Sequence, residues 1–211
     1  MTHTATLVHI TPDAENLVAY MARVSNPANQ DNQETAPKLI RYLIKHKHWS
    51  PLEMVSMCVE INTTRSIAAQ ILRHRSFSFQ EFSQRYAEVT LRPELPEFRS
   101  QDLKNRQNSV DDLSQEVLLE ADQVAAKALV TSYRAYERLL ELGVAKECAR
   151  EVLPLATPTR LYMHGTLRSW IHYCQLRCAN GTQKEHQDIA CAIKDILAEQ
   201  VPDIYEAAFC E

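Results

Sequence analysis

The sequence predicts a single α+β domain with long helices, and three observations carry that prediction. Short runs alternate apolar and polar residues as strands do, longer runs repeat apolar residues at helical spacing, and no internal repeat, linker or low-complexity segment divides the chain. Its 211 residues, 45% hydrophobic and 24% charged, are enough to bury a real core.

In chain order, ATLVHI (residues 5–10) reads as a short strand, Thr11-Pro12-Asp13 as a helix start and NLVAYMARV as that helix's body. SNPANQDNQET is a polar loop. APKLIRYLIKH sets Leu39, Ile40, Leu43 and Ile44 at helical spacing and ends in Lys45, His46, Lys47 and His48, where positive charge suits a helix C-terminus. Ser50-Pro51-Leu52-Glu53 has the spacing of a capping box with proline at the first helical position, before MVSMCVEI alternates as a strand. SIAAQILRHR is helical with Ile67, Ile71 and Leu72 inward; SFSFQ and SQRY switch to period two, which puts Ser83 and Arg85 on one face of an extended segment. Residues 90–111 form an irregular connection. The longest helical pattern then runs from about Val110 to Leu142 and closes on Gly143. AKECAREVL is a short helix ending at Pro154, TRLYMHGTLRSWIHYCQLR passes from strand to helix, Asn180-Gly181 is a turn, and QKEHQDIACAIKDILAEQ is the final helix before Pro202.

Composition excludes several functions. A net charge of −4 argues against a general polyanion binder, so a helical nucleic-acid protein using RHRSFSF as a basic-aromatic patch is disfavoured and no nucleic-acid partner is expected. No apolar run approaches a bilayer span, and the opening MTHTATLVHITPD lacks a secretory signal; a cytoplasmic protein with no membrane partner is expected. The six cysteines (Cys58, Cys148, Cys174, Cys178, Cys191, Cys210) contain no C-x-x-C pair and read most simply as buried thiols in a reducing compartment. Cys174 and Cys178 with nearby His172 fall short of the closed ligand set of a zinc site, and no metal is expected. With three glycines (Gly143, Gly165, Gly181), neither glycine-rich phosphate fingerprint is possible, so any phosphate must be gripped mainly by arginine side chains.

Those arginines are concentrated. Arg73, His74 and Arg75 are consecutive, so they cannot all face solvent from one regular helix, and aromatics follow them. Like charges held close beside apolar residues need an anion among them, and both Glu81 and a ligand are candidates. On residue chemistry alone, a ligand site and an internal ion network both stay open. Arg150, Arg160, Arg168 and Arg177 follow late in the chain. Arg168 and Arg177 lie nine residues apart, on opposite sides of a helix, which points to two ligands or two subunits.

Arg73-His74-Arg75, seven residues and then Ser83, continued as S-Q-R-Y, resembles the R-H-R-x7-S signature of the flavin-dependent thymidylate synthases. HWSPLE resembles that family's H-x-[ST]-P-x-E segment, AREVLP its A-R-x-x-L-P, and LRSW…QLR…TQKE its late arginine-bearing helix and Q-x-E, so the likeness runs from about residue 15 to 205 in register.

The resemblance implies one domain over residues 1–211 with a small, mainly antiparallel sheet and several long helices. It implies methylation of dUMP at C5 to dTMP, with carbon from methylenetetrahydrofolate and electrons from NADPH through bound FAD, without a cysteine nucleophile, in a homotetramer whose active sites are shared between subunits. Carried over by position, Arg177 favours the N3-ionised uracil. Gln70, Arg73, Glu81, Ser83, Gln84, Arg85 and Arg150 line the nucleotide, with Ser83, Arg85 and Arg150 on its phosphate. Ser83 has no adjacent base and is read as a phosphate ligand, not a nucleophile. For FAD the matching positions are His48, Ser50, Glu53, Arg73, His74, Arg75, Glu81, Thr166, Arg168 and His172. Relatives often carry asparagine where Thr166 stands and asparagine or histidine where His172 stands, and some carry glycine where Gln84 stands, so Gln84 is expected to offer backbone N–H. The bland readings are a capping box for Ser50 and Glu53, a helix terminus for His48 and a core position for His172. A flavoprotein of the same fold that oxidises NADPH without methyl transfer is the alternative function.

Overall fold

A computed structural model describes residues 3–210. Its strands are β1 (Thr4–Ile10), β2 (Ser56–Thr64), β3 (Ser78–Glu81), β4 (Ser100–Gln101), β5 (Ser109–Val110) and β6 (Pro158–Thr166). Its helices are α1 (Ala14–Ala22), α2 (Ala36–Lys45), α3 (Arg65–Ile71), α4 (Gln115–Glu141), α5 (Lys146–Ala149), α6 (Leu167–Arg177), α7 (Lys184–Gln200) and α8 (Pro202–Phe209).

The alternation read in MVSMCVEI is what builds the sheet. Met57, Val59, Ile61 and Thr63 of β2 are buried, and register places them opposite Gly165, Met163, Leu161 and Thr159 of β6, so one face of each strand is apolar and enclosed. Four strands pair in the order β1-β2-β6-β3, each pair antiparallel. Trp170, Ile171, Tyr173 and Cys174 of α6 and Ile189, Ala190, Ile193 and Leu197 of α7 join the same core, and the Trp170 indole N–H donates to the Met57 carbonyl at 3.0 Å. Helix α6 is thereby pinned to the strand that leads into the site.

Gly165 is required by close approach. A Cβ there would lie 2.4 Å from Cδ1 of Phe77, the aromatic that follows Arg73-His74-Arg75 and packs edge-on against Trp170 at 4.6 Å between centroids. Gly165→Ala should overpack this contact, lowering stability by about 1–3 kcal/mol in a denaturant melt. Unchanged stability would show that Phe77 is free to move aside.

Several expectations are corrected. The helix before Pro202 ends at Gln200 as expected but is not the final one: Pro202 occupies the first turn of α8, whose Ile204 and Ala207 are buried and whose Ile204 N–H donates to Glu15 Oε1 at 2.9 Å. The long helix starts at Gln115, not near Val110, because the Ser114 hydroxyl caps it by accepting from Val117 N–H and because Ser109 and Val110 pair in a small hairpin with Ser100 and Gln101. Leu72 is exposed, since α3 stops one residue before it. In α4 just Tyr133 and Tyr136 are buried, in a second small core with Val89 and Ala149, while Val117, Leu119, Val124 and Val130 are exposed. The expectation of buried cysteines is met at Cys174 alone.

Candidate active site

Helix α3 ends at Ile71, and the next residues fan out in a turn in which His74 N–H bonds to the Ile71 carbonyl. This corrects the expectation that Arg73, His74 and Arg75 crowd one another: Arg73 and Arg75 are exposed, and His74 alone turns inward. Among the described residues, neither the Arg73 nor the Arg75 side chain has a hydrogen bond or ion pair. Glu81 does not supply their anion. Its Oε1 accepts from Arg65 Nη1 and from the Thr159 hydroxyl at 2.9 Å, so the internal counter-charge is already taken.

Arg177 sits at the C-terminus of α6, where its charge faces the helix's negative end. Its Nε–H donates to His74 Nε2 at 2.9 Å. Burial, then the Arg177 charge, then His172, pull the His74 pKa down to about 4, so near neutral pH its ring is an uncharged acceptor. Behind it lies His186, fully buried, whose pKa burial, Arg177 and His74 pull down to about 3. The positive charge of this cluster therefore rests on Arg177. In the unfolded chain both histidines would protonate near the ordinary 6.5. The unfolded state then binds more protons, and folded stability should fall as pH drops from about 6.5 toward about 4 and continue falling until His186 protonates. Denaturant midpoints measured over that range check this; a flat profile would contradict it.

The other side of α6 carries Arg168. Its Nη1 contacts Glu53 Oε1, and both border a cavity of about 390 Å³ lined also by Trp49, Ser76, Ser169, Ile171, His172 and Gln175. His172 is exposed there, which removes the core reading, and it faces away from buried Cys174. The capping-box reading of Ser50 and Glu53 also fails: Ser50-Pro51-Leu52-Glu53 is a 3₁₀ turn without a side-chain cap bond, and Glu53 reaches across to Arg168. Thr166 is occupied locally, its hydroxyl accepting from Ser169 N–H at 3.3 Å as the N-cap of α6. His48 is exposed beyond α2, its ring 5.8 Å from that of Tyr42.

SQRY is not extended. The Ser83 carbonyl accepts from Tyr86 and Ala87 N–H, and the resulting turn sends Arg85 to Glu147 of α5 at 2.8 Å. Arg150 lies at the same place, donating to the Glu147 carbonyl at 3.3 Å and lying 3.6 Å from Glu151. Gln84 departs from expectation most. The residue is 6% exposed, and its Nε2 is buried without a hydrogen-bond partner among the described residues. An orphaned buried donor is rare enough in folded proteins to mark a place for an acceptor.

The candidate residues are thus grouped by shared contacts: Gln70, His74 and Arg177 around His186; Glu53, Arg168 and His172 at the cavity; Arg85 and Arg150 at Glu147; and Glu81 with Arg65. The predicted opposition of Arg168 and Arg177 holds, since α6 begins before Arg168 and sends the two to different partners.

Comparison with known proteins decides what this arrangement belongs to. Residues 6–203 match the sequence profile of the thymidylate synthase complementing protein family. A probable flavin-dependent thymidylate synthase of Paramecium bursaria Chlorella virus 1 is 53% identical over 194 residues, covering 92% of this chain and 90% of that protein. The chain belongs to the flavin-dependent thymidylate synthase family. The flavin-dependent thymidylate synthase of Synechocystis is 52% identical over 193 residues, covering 92% of this chain and 88% of that protein. Among solved structures, the UMP/dUMP methylase PolB of Streptomyces cacaoi bound with 5-Br dUMP superposes with a TM-score of 0.86 at 28% identity, over 97% of this chain and 93% of that one.

The residues present fit the flavin that gives the family its name. Arg73 and Arg75, without a partner among the described residues, suit a diphosphate, and the Arg168 cavity offers Trp49 and Ile171 as apolar wall. Sequence reading missed Trp49, Ser76 and Gln175 of that cavity, although Trp49 stands inside the HWSPLE segment it had singled out. It also missed Arg65, for which no local pattern exists, because its pairing depends on β3 lying beside β6. His186 did carry a signal: it shares the apolar α7 face of Ile189, Ala190, Ile193 and Leu197.

Proposed function

We propose that this chain catalyses the reductive methylation of dUMP at C5 to dTMP, with methylenetetrahydrofolate as carbon donor and NADPH as reductant through FAD. The observation that carries this reading is that Arg73 and Arg75 have no anion among the described residues while Glu81 is engaged by Arg65. Their charge is left for ligand phosphates, and the match to a family named for its flavin supplies the ligand class.

Bound FAD supplies the two-electron redox chemistry that the polypeptide lacks. Arg73, Arg75, Arg168 and His172 hold it, with His48, Ser50, Glu53, His74, Glu81 and Thr166 bordering it. Ser83, Arg85 and Arg150 neutralise the nucleotide phosphate, which displaces Glu147 from its exposed and therefore weak pair with Arg85. Gln84 donates its orphaned amide N–H to an acceptor of the nucleotide. Arg177, anchored through Nε on neutral His74, presents its two terminal nitrogens to the uracil edge; the guanidinium stabilises the ring's negative charge and raises electron density at C5.

The same reading makes the protein a cytoplasmic homotetramer with sites shared between copies. The opposition of Arg168 and Arg177 on α6 supports it, as does α4, a 27-residue helix whose Val117, Leu119, Val124 and Val130 are exposed. Among the described residues no helix is long and apolar enough to cross a membrane. The test is to purify the protein, record a flavin spectrum and assay dTMP formation from dUMP, methylenetetrahydrofolate and NADPH. Yellow protein that makes dTMP is expected. NADPH oxidation without dTMP would favour the oxidoreductase alternative, and colourless protein that FAD does not reconstitute would overturn the reading.

A further inference from the structure

His186 is a histidine among the buried apolar residues Ile189, Ala190, Ile193 and Leu197. It is fully buried on the apolar face of α7, and burying an imidazole is unfavourable unless both ring nitrogens find partners. Both do. Nε2 lies 3.0 Å from the Tyr173 hydroxyl and Nδ1 lies 3.4 Å from Gln70 Oε1. Tyr173 is itself fully buried, burial pushes its pKa far above the ordinary range so the hydroxyl keeps its proton, and because His186 Nε2 is that hydroxyl's one hydrogen-bond partner among the described residues, the proton is donated to Nε2. The ring proton of neutral His186 must then sit on Nδ1 and point at Gln70. Gln70 in turn donates from Nε2 to Gln183 Oε1 at 2.7 Å.

We infer that His186 is a positioning residue for the nucleotide site: the directional chain from Tyr173 through His186 to Gln70 and Gln183 fixes which end of the Gln70 amide donates and which accepts. This rests on the reading above in which Gln70 lines the nucleotide. A glutamine amide can rotate by half a turn and exchange donor for acceptor, which presents the wrong pattern to a pyrimidine edge. The chain forbids that rotation, because a flipped amide would set N–H against the Nδ1 proton and carbonyl against Gln183 Oε1. Gln70 keeps one N–H and one lone pair for substrate, in a defined order.

The test is a double-mutant cycle on the flavin-loaded enzyme, with the KM for dUMP, kcat and flavin content measured for His186→Leu, Gln70→Leu and the pair. His186→Leu should raise the dUMP KM about tenfold, the size expected for one misaligned hydrogen-bonding group, with flavin content unchanged. In the Gln70→Leu background it should add nothing. His186→Asn, whose amide offers both a donor and an acceptor, should recover part of the loss. A purely structural role would instead lower flavin content and yield together and would multiply with Gln70→Leu; that result, or an unchanged KM in His186→Leu beside an impaired Gln70→Leu, overturns the inference alone. An unimpaired Gln70→Leu overturns the Gln70 assignment and this inference with it. Should His186→Leu fail to fold, Tyr173→Phe removes just the hydroxyl that sets the proton's position, and an unchanged dUMP KM there is equally decisive against it.

Discussion

Arg177→Ala will abolish dTMP formation and leave the flavin bound. Arg177 is the charged member of a cluster whose two histidines are held neutral, and its Nε is fixed 2.9 Å from His74 Nε2, so its terminal nitrogens are presented in one geometry. Removing one preorganised donor from an active site typically lowers turnover by about 10²–10³, and here the charge leaves with it, so a loss at or beyond that upper figure is expected. Flavin retention is expected because Arg73, Arg75 and Arg168 remain in the variant and His74, which borders the flavin, loses just one neighbour. Arg177→Lys should rescue little: one ammonium cannot both donate to His74 and offer a forked pair of donors. Parallel measurement of dTMP and of flavin absorbance checks both halves. Turnover near wild type would remove Arg177 from the chemistry.

Arg73→Ala/Arg75→Ala will give a colourless protein whose ligand-free stability is unchanged. Both side chains are exposed and, among the described residues, unpartnered, so their removal should alter folding by no more than about 0.5 kcal/mol. Each charge-assisted hydrogen bond to a phosphate is worth about 1.5–3 kcal/mol, and losing two would weaken FAD by roughly 10²–10⁴. Arg65→Ala is the contrast. It strips Glu81 of its internal cation, leaving a carboxylate that is 16% exposed in its side chain, and should destabilise the ligand-free protein. A double variant that melted early yet stayed yellow would mean that these arginines serve the fold or a subunit contact.

What could be read from the sequence was what short-range periodicity encodes. Alternation in β2 and helical spacing in α2, α6 and α7 are imposed by a face that must be buried, and those elements appear where they were expected. Proline was ambiguous: Pro202 suits the end of one helix and the first turn of the next equally well, and the buried Ile204 and Ala207 decide it. The capping box at Ser50 was a matter of spacing that tertiary structure overrode, since Glu53 meets Arg168 from an element more than a hundred residues away. The same cause hid the partner of Glu81. RHRSF and SQRY were legible as chemistry, not as geometry: a helix end and a tight turn, each set by local hydrogen bonds, point the arginines in directions that no period of two or 3.6 predicts.

On the proposed reading, the flavin and its pyrimidine nucleotide are gripped by guanidinium groups that are either without an anion among the described residues, as Arg73 and Arg75 are, or held only in weak ion pairs at the surface, as Arg85 and Arg150 are. An experimental structure of the assembled protein with FAD and dUMP bound tests it most directly. The account predicts Arg73 and Arg75 on the flavin diphosphate, Arg85 and Arg150 turned from Glu147 and Glu151 onto the nucleotide phosphate, and Arg177 at the uracil edge still bonded to His74. Arginines still solvated or paired with carboxylates of a neighbouring copy, with the ligands held by other residues, would contradict it.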